Sequence, residues 1–209
     1  MAFYRTRIFP LLSGLLWAGF LFLDLTGLGD STSVKFAGIC LCAITALLGV
    51  KTLDGKLVAA ALGFTVGADW FLLVRDDHYL AGVGLFLIVQ GLYALRLYRL
   101  RGKPSPLFLL RGALLLFWGA GTAVEPTLLP LWTALLYFSN LCINTLEAFA
   151  LDPSRRWFAV GLLLFVCCDL CVGAWNVSLF LPPALGEFAR VGMWLFYLPS
   201  QVLIVLSQE

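Results

Sequence analysis

Charged residues are scarce in this sequence of 209 residues, of which Asp, Glu, Lys and Arg make up only 12%. Soluble domains carry about 25% charged residues, and 61% of this chain is hydrophobic. Apolar runs of about 20 residues recur along its whole length, and each is long enough to cross a bilayer as a helix. The composition excludes a water-soluble domain and predicts an all-α, polytopic integral membrane protein with a single transmembrane domain over residues 1–209.

The basic residues predict how this protein is oriented. Of the 14 Lys and Arg residues, all but Lys35, Arg75 and Arg190 fall on one side of the predicted membrane domain. The positive-inside rule places that side, with both termini, in the cytoplasm. The basic residues are dispersed in short loops, so nothing indicates a nucleic-acid partner. We predict about eight transmembrane helices, near residues 7–26, 33–50, 57–75, 79–98, 107–124, 127–149, 157–176 and 186–207.

Metal ligands and disulfide patterns are also missing. The single histidine, His78, lies in a short loop, and the six cysteines all lie inside predicted spans. None of them has the loop spacing of metal ligands or of a disulfide framework, so neither kind of site is predicted. We interpret the cysteines as small apolar residues of the helix packing. They are Cys40, Cys42, Cys142, Cys167, Cys168 and Cys171.

Two aspartates, Asp69 and Asp169, lie inside apolar runs. A carboxylate at the centre of a transmembrane helix costs about 2.5–3.5 kcal/mol on insertion scales, so intramembrane acids are functional-site candidates. Each aspartate follows the start of its predicted span by 12 residues, which is about 18 Å of helix. Both spans run in the same direction. The two carboxyl groups are therefore predicted to lie at one depth, where they could face a common cavity.

Polar residues recur in helical register on four of the predicted spans. Lipid offers them no hydrogen-bond partner, so these stripes should face other helices or a wet cavity. They could be polar contacts between helices, but together with the aspartates they favour an internal polar pocket. The stripes are Gln90 and Tyr93; Thr133, Tyr137, Asn140, Asn144 and Glu147; Asp169, Gly173 and Asn176; and Arg190, Trp194, Tyr197 and Gln201.

Several segments resemble the YhhN-type membrane family, whose characterised members are lysoplasmalogenases. The first is residues 62–73, which contain Asp69 and are followed by Gly82-Val83-Gly84-Leu85-Phe86 and Gln90-Gly91-Leu92-Tyr93. Residues 161–169, ending in Asp169, and residues 197–207 are similar to the second signature and the last helix of the family. Three positions depart from the family pattern: Ala68, Gln90 and Cys168 stand where the family often has Gly, His and Ser.

The resemblance implies an enzyme that hydrolyses the vinyl ether bond of a lysoplasmalogen and needs no cofactor or metal. Its partners would be a lysophospholipid substrate from the bilayer and membrane lipids, and its location the bacterial cytoplasmic membrane. Asp69 and Asp169 would form the acid/base pair. The residues implied to hold water and the glycerol oxygens are Gln90, Tyr93, Asn140, Asn144, Asn176, Tyr197 and Gln201.

Two other functions stay open at this point. Intramembrane acids also mark ion pathways, so a proton-coupled transporter of a small molecule or lipid is one alternative. The sequence shows no inverted repeat with broken helices, which such carriers often have. A lipid-binding membrane protein without catalysis is the other alternative.

Overall fold

Eight α-helices make up most of the part of the chain that the structure describes. The structure is a computed structural model, and it describes residues 4–208. A π-helical turn, Trp70–Val74, continues the third helix, and no strand occurs within residues 4–208. The predicted all-α fold is confirmed. The helices are α1 (Phe9–Thr26), α2 (Thr32–Leu48), α3 (Leu53–Asp69), α4 (Tyr79–Arg101), α5 (Phe108–Val124), α6 (Leu129–Phe149), α7 (Arg156–Asn176) and α8 (Pro183–Leu206).

Six of the helices within residues 4–208 are long and apolar enough to cross a membrane. The other two, α2 and α5, are apolar but have 17 residues each. Such a helix is about 26 Å long, near the shortest length that spans a bilayer. The chain is an integral membrane protein. The count of eight spans and the cytoplasmic position of the termini remain predictions.

Helix α3 begins four residues before the predicted span, at Leu53 rather than at residue 57. The Thr52 hydroxyl accepts a hydrogen bond of 3.0 Å from the Gly55 amide and so caps the first turn. Asp54 and Lys56 interrupt the apolar run here, so hydropathy alone misses this turn. A threonine at the N-cap satisfies an amide that the helix itself cannot, and this sets the start of α3.

The two ends of the described part of the chain meet at one end of the helix bundle. Arg5 donates a hydrogen bond of 2.9 Å to the Val205 carbonyl oxygen, and the Gln208 side chain donates one of 3.0 Å to the Ala46 carbonyl oxygen. We call this end the basic end; residues 49–52, 102–107 and 150–155 also belong to it. The opposite end, which we call the cavity end, consists of residues 27–31, 75–78, 125–128 and 177–182.

Helices α7 and α8 approach each other closely at Gly161. A Cβ atom at this position would lie 2.9 Å from Ile204 Cγ1 and 3.1 Å from the Ser200 carbonyl oxygen. The carbonyl belongs to the backbone of α8, so it cannot turn away as a side chain could. Gly161 is therefore required for the packing that holds α7, with Asp169, against α8.

We expect Gly161→Ala to lower the free energy of unfolding by about 1–3 kcal/mol, because the added methyl group overpacks the α7–α8 contact. The measurement is unfolding of the purified protein in detergent. Gly173→Ala is the matched control: Gly173 is on the same helix, and its Cβ would meet no atom of the described residues within 4 Å. An equal effect of the two substitutions would contradict the close contact, since helix propensity alone favours alanine at both sites.

Candidate active site

A cavity of about 390 Å³ opens at the cavity end, between α3 and α4 on one side and α7 and α8 on the other. Asp69 and Asp169 both line it. The structure thus brings together two acids that are 100 positions apart in the sequence. Because each aspartate lies in the half of its helix nearer the cavity end, the cavity reaches both carboxyl groups from this end of the bundle.

Asp69 is the last residue of α3 and is held by a hydrogen-bonding partner on α8. Its side chain is buried, with 4% exposure. The Tyr197 hydroxyl lies 2.8 Å from Oδ2 and 3.0 Å from Oδ1 of Asp69 and donates its hydrogen to this carboxyl group. The π-helical turn Trp70–Val74 begins directly after Asp69. Such turns are frequent at functional sites, and this one carries the chain from the acid to the mouth of the cavity.

Asp169, on α7, is less constrained than Asp69. Its Oδ2 atom is buried and has no hydrogen-bond partner among the described residues. The Tyr137 hydroxyl, on α6, interacts with Asp169 electrostatically but is itself without a hydrogen-bond partner in the described chain. The Asp169 carboxyl and the Tyr137 hydroxyl therefore face each other without the geometry of a hydrogen bond, and a substrate or water could bind between them.

Aromatic rings form the inner wall of the cavity. Phe165 lies 5.5 Å from Tyr197 and 5.7 Å from Phe86, measured between ring centroids, and Trp194 lies 5.4 Å from Tyr197. All four residues line the cavity. Aromatic faces attract cations, more strongly where water is excluded. The wall beside the aspartates can therefore accommodate both an apolar chain and a transient positive charge.

The mouth of the cavity is acidic. Asp76 and Asp77 line it, and they lie in the short loop between the π-helical turn and α4. A hydrogen bond with His78 holds the pKa of Asp77 below its usual value, and Arg75 adds to this effect. Asp76 and His78 both have a positive φ, of 49° and 52°. This conformation is uncommon for residues other than glycine.

The sequence was compared with models of known protein families. The model of the YhhN family matches residues 31–208. The chain belongs to the YhhN family. No curated protein and no solved structure matches the chain. The matched region starts just before α2 and contains every residue that lines the cavity.

In this YhhN-family protein, two of the other residues predicted to surround the aspartates do line the cavity. They are Tyr197, which contacts Asp69, and Asn176, at the end of α7. The Asn176 amide donates a hydrogen bond of 3.0 Å to the Val172 carbonyl oxygen. The cavity lining within the described residues does not include the other five residues predicted to contact the substrate: Gln90, Tyr93, Asn140, Asn144 and Gln201.

Three of those five residues form a separate polar cluster toward the basic end. Asn144 donates a hydrogen bond of 2.9 Å to Gln90 Oε1, and Asn140 and Asn144 each accept one of 2.8 Å from Arg111. The polar stripe of α6 runs along the helix, whereas the cavity occupies only one end of the bundle. Tyr137, in the same stripe, lies beside Asp169. Asn140 and Asn144 lie on the same face of α6 as Tyr137, but they are nearer the basic end and so do not reach the aspartates.

Tyr93 and Gln201 are buried in the helix packing. The Tyr93 ring contacts Phe158 at 5.5 Å between centroids, and its hydroxyl has no hydrogen-bond partner among the described residues. Gln201 donates a hydrogen bond of 3.3 Å to the Ser200 hydroxyl. Both residues lie on the predicted polar faces, but those faces meet other helices at this level of the bundle.

Three residues at the mouth and wall of the cavity are not among the residues predicted from the sequence. Asp76 and Asp77 follow Asp69 by seven and eight residues, and Trp175 follows Asp169 by six. The position of Asp69 near the end of its span could have indicated them. A cavity around such an acid is bounded by the loop that follows the span. In the sequence, Asp76 and Asp77 lie directly before His78, in the short loop that contains it.

We expect Tyr197→Phe to lower the turnover of the reaction proposed below by about 10- to 100-fold, the effect of losing a hydrogen bond to a reacting carboxyl group. The ring contacts remain, so the protein should stay folded. Tyr93→Phe is the matched control, because it removes a buried hydroxyl outside the cavity. The measurement is steady-state kinetics of both variants. Equal turnover of the two variants would contradict a positioning role for Tyr197.

Proposed function

We propose that this protein is a membrane-embedded hydrolase that cleaves the vinyl ether bond of lysoplasmalogens, the 1-alkenyl-glycerophospho-ethanolamines and -cholines. The products are a fatty aldehyde and a glycerophospho-alcohol. The observation that carries this proposal is the meeting of Asp69 and Asp169 in one cavity with aromatic walls. Membership of the YhhN family, which is associated with hydrolase activity, supports it.

The proposed reaction needs one proton donor and one water molecule. Protonation of the outer alkene carbon converts the vinyl ether to an oxocarbenium ion, and water adds to the carbon that bears the ether oxygen. Loss of a proton gives a hemiacetal. The hemiacetal then collapses: its hydroxyl loses a proton as the C=O bond of the aldehyde forms, the bond from this carbon to the glycerol oxygen breaks, and that oxygen receives a proton. A carboxyl group and a neighbouring carboxylate are suited to these steps as acid and base.

The different surroundings of the aspartates favour different roles for them. Both oxygens of Asp69 accept from the Tyr197 hydroxyl, so we assign Asp69 as the fixed carboxylate that stabilises the cation and activates water. Asp169 faces the Tyr137 hydroxyl, but its Oδ2 atom makes no well-formed hydrogen bond within the described chain and is available to the alkene carbon, so we assign Asp169 as the proton donor. Phe165 and Trp194 supply ring faces for the transient cation.

The substrate orientation follows from the polarity of the cavity. The acidic loop with Asp76 and Asp77 suits the amine-bearing head group of an ethanolamine or choline lysolipid at the mouth. The alkenyl group would extend inward, toward the aromatic wall. In a bacterial cytoplasmic membrane with the basic end in the cytoplasm, this mouth would face the outer side.

Purified protein in detergent, supplied with lyso-plasmenylethanolamine, tests the proposal. We expect release of fatty aldehyde without any ion gradient. The matched control substrate is the 1-alkyl lysolipid, which has a saturated ether and offers no alkene carbon to protonate. Binding of the lysoplasmalogen without aldehyde release would contradict the proposed enzymatic activity and would support a lipid-binding protein. Gradient-dependent flux in vesicles without turnover would instead support a transporter.

A further inference from the structure

A second cavity, of about 440 Å³, lies at the basic end between α4, α5 and α6. It is well away from the aspartate cavity, and the two share no lining residue among those described. The ends of α4 and α6, the start of α5 and the loop between α4 and α5 enclose it. The residues that decide its chemistry are Tyr98, Arg101, Ser105, Phe108, Arg111 and Glu147.

The lining of this second cavity has more positive than negative charge. Arg101 and Arg111 share one acidic partner, Glu147, and the side chains of all three are 13% exposed or less. Arg111 lies 3.2 Å from a Glu147 carboxylate oxygen, whereas the nearest such distance for Arg101 is 3.9 Å. Removing a cation from water is costly unless it is paired. One buried positive charge therefore lacks a close counter-ion among the described residues.

The hydrogen bonds around Arg101, Arg111 and Glu147 also indicate that a negatively charged group is missing. The Ser105 hydroxyl donates to Glu147, and the terminal nitrogens of Arg111 are taken up by Asn140, Asn144 and Glu147. The Arg111 Nε atom is nevertheless buried with no acceptor in the described chain. Within residues 4–208, the hydrogen bonds of the Arg101 side chain are limited to one of 3.3 Å to the Glu147 carbonyl oxygen. An anionic group beside Arg101 would supply the close counter-ion that Glu147 does not give it.

The cavity borders a surface that we expect to face lipid. Helix α5 has no buried residue along its described length and packs mainly against α6. Phe108 at its start is 68% exposed, and Tyr98 on α4 is 50% exposed. A helix in a bilayer that leaves such a face uncovered meets lipid chains there. Aromatic residues at this level are typical of the interface where lipid head groups lie.

We infer that the second cavity binds the phosphate group of an anionic membrane phospholipid. The phosphate would sit at Arg101 and Arg111, and an acyl chain would lie against Phe108 and Tyr98. Arginine is well suited to phosphate oxygens because its donors form a planar fork. Basic pockets between transmembrane helices on the cytoplasmic side are a common form of lipid recognition. This site is independent of the proposed reaction and goes beyond it.

Native mass spectrometry of the delipidated full-length protein tests this inference, with phosphatidylglycerol and phosphatidylcholine as probes. We expect tighter binding of phosphatidylglycerol, and a loss of about five- to tenfold in its affinity in Arg101→Gln. Arg99→Gln is the matched control, since Arg99 is exposed and does not line the cavity. Arg101→Lys keeps the charge but lacks the planar fork, so it should lose less affinity than Arg101→Gln.

Three results would overturn the inference. The first is equal binding of phosphatidylglycerol and phosphatidylcholine. The second is an equal loss of affinity in Arg101→Gln and Arg99→Gln. The third is displacement of the bound lipid by millimolar inorganic phosphate, which would assign the cavity to a free anion. None of these readouts uses aldehyde release, so failure here and failure of the proposed function are distinguishable.

Discussion

Replacing either Asp69 or Asp169 by asparagine is expected to lower the rate of aldehyde release by about 10²–10⁴-fold, the usual contribution of general acid–base catalysis. Asparagine has nearly the size of aspartate but can neither donate the reacting proton nor carry the negative charge. The measurement is turnover of lyso-plasmenylethanolamine by each purified variant. Folding is checked by comparing the unfolding transitions of the variants in detergent.

Glu187→Gln is the matched control for the aspartate variants. Glu187 lies on α8, pairs with Arg190 at 3.1 Å and is 68% exposed, and it is not part of the described cavity lining. We expect its turnover to stay within about twofold, because a surface ion pair contributes little. Full turnover in either folded aspartate variant would contradict the paired mechanism.

The residual activities should also differ between the two aspartate variants. Without a general acid, Asp169→Asn would depend on hydronium ions, so its residual rate should rise about tenfold for each unit by which the pH falls. Asp69→Asn keeps the assigned proton donor and should show a weaker dependence. Rate measurements across the pH range in which the protein stays folded test this difference. The reverse order would exchange the roles assigned to the two residues.

Arg96→Gln is expected to lower the free energy of unfolding by about 3–5 kcal/mol, because removing one partner of a buried ion pair leaves a desolvated charge behind. The Arg96 side chain is 1% exposed and lies 2.7 Å from an Asp54 carboxylate oxygen. It also donates a hydrogen bond of 2.8 Å to the Ser207 carbonyl oxygen and lies 4.2 Å from the centroid of the Phe158 ring. One guanidinium group thus joins α3, α4, α7 and the end of the chain.

Unfolding of the variants in mixed detergent micelles measures this effect. Arg99→Gln, three positions along α4 and exposed to solvent, should change the free energy of unfolding by less than about 0.5 kcal/mol. The double variant Asp54→Asn with Arg96→Gln should lose less stability than the sum of its two single substitutions, as expected of coupled residues. Strict additivity would show that Arg96 and Asp54 do not stabilise each other.

The helices were predictable from the sequence because hydropathy is a property of each segment alone. The ends of the helices needed other information. Thr52 extends α3 backward by capping it, and α4 continues past residue 98 to Arg101, where Gly102 with a φ of 69° ends it. Glycine is the residue that adopts this left-handed conformation at a helix C-terminus most easily. Charged residues can therefore belong to the last turn of a helix, and their position does not show where the helix ends.

The placement of Asp69 and Asp169 at a common depth could be predicted, because it follows from the direction of the two spans and their residue counts. Which polar neighbours surround them could not. Periodicity assigns Asn140 and Asn144 to the same face of α6 as Tyr137, but only the packing shows that Arg111 takes up both asparagines. The packing of the helices decides which side chains of neighbouring helices lie at the same depth. The polar stripe of one helix does not show this.

Deuterium incorporation tests the central claim most directly. Hydrolysis of lyso-plasmenylethanolamine in D₂O should give a fatty aldehyde with one solvent deuterium on carbon 2, the former outer alkene carbon. Unlabelled aldehyde incubated with the protein in D₂O corrects for exchange after release. We expect this label in the product of the unmodified protein, and we expect product formation to be strongly reduced in Asp69→Asn and Asp169→Asn. No aldehyde, or aldehyde without solvent deuterium on carbon 2, would contradict it.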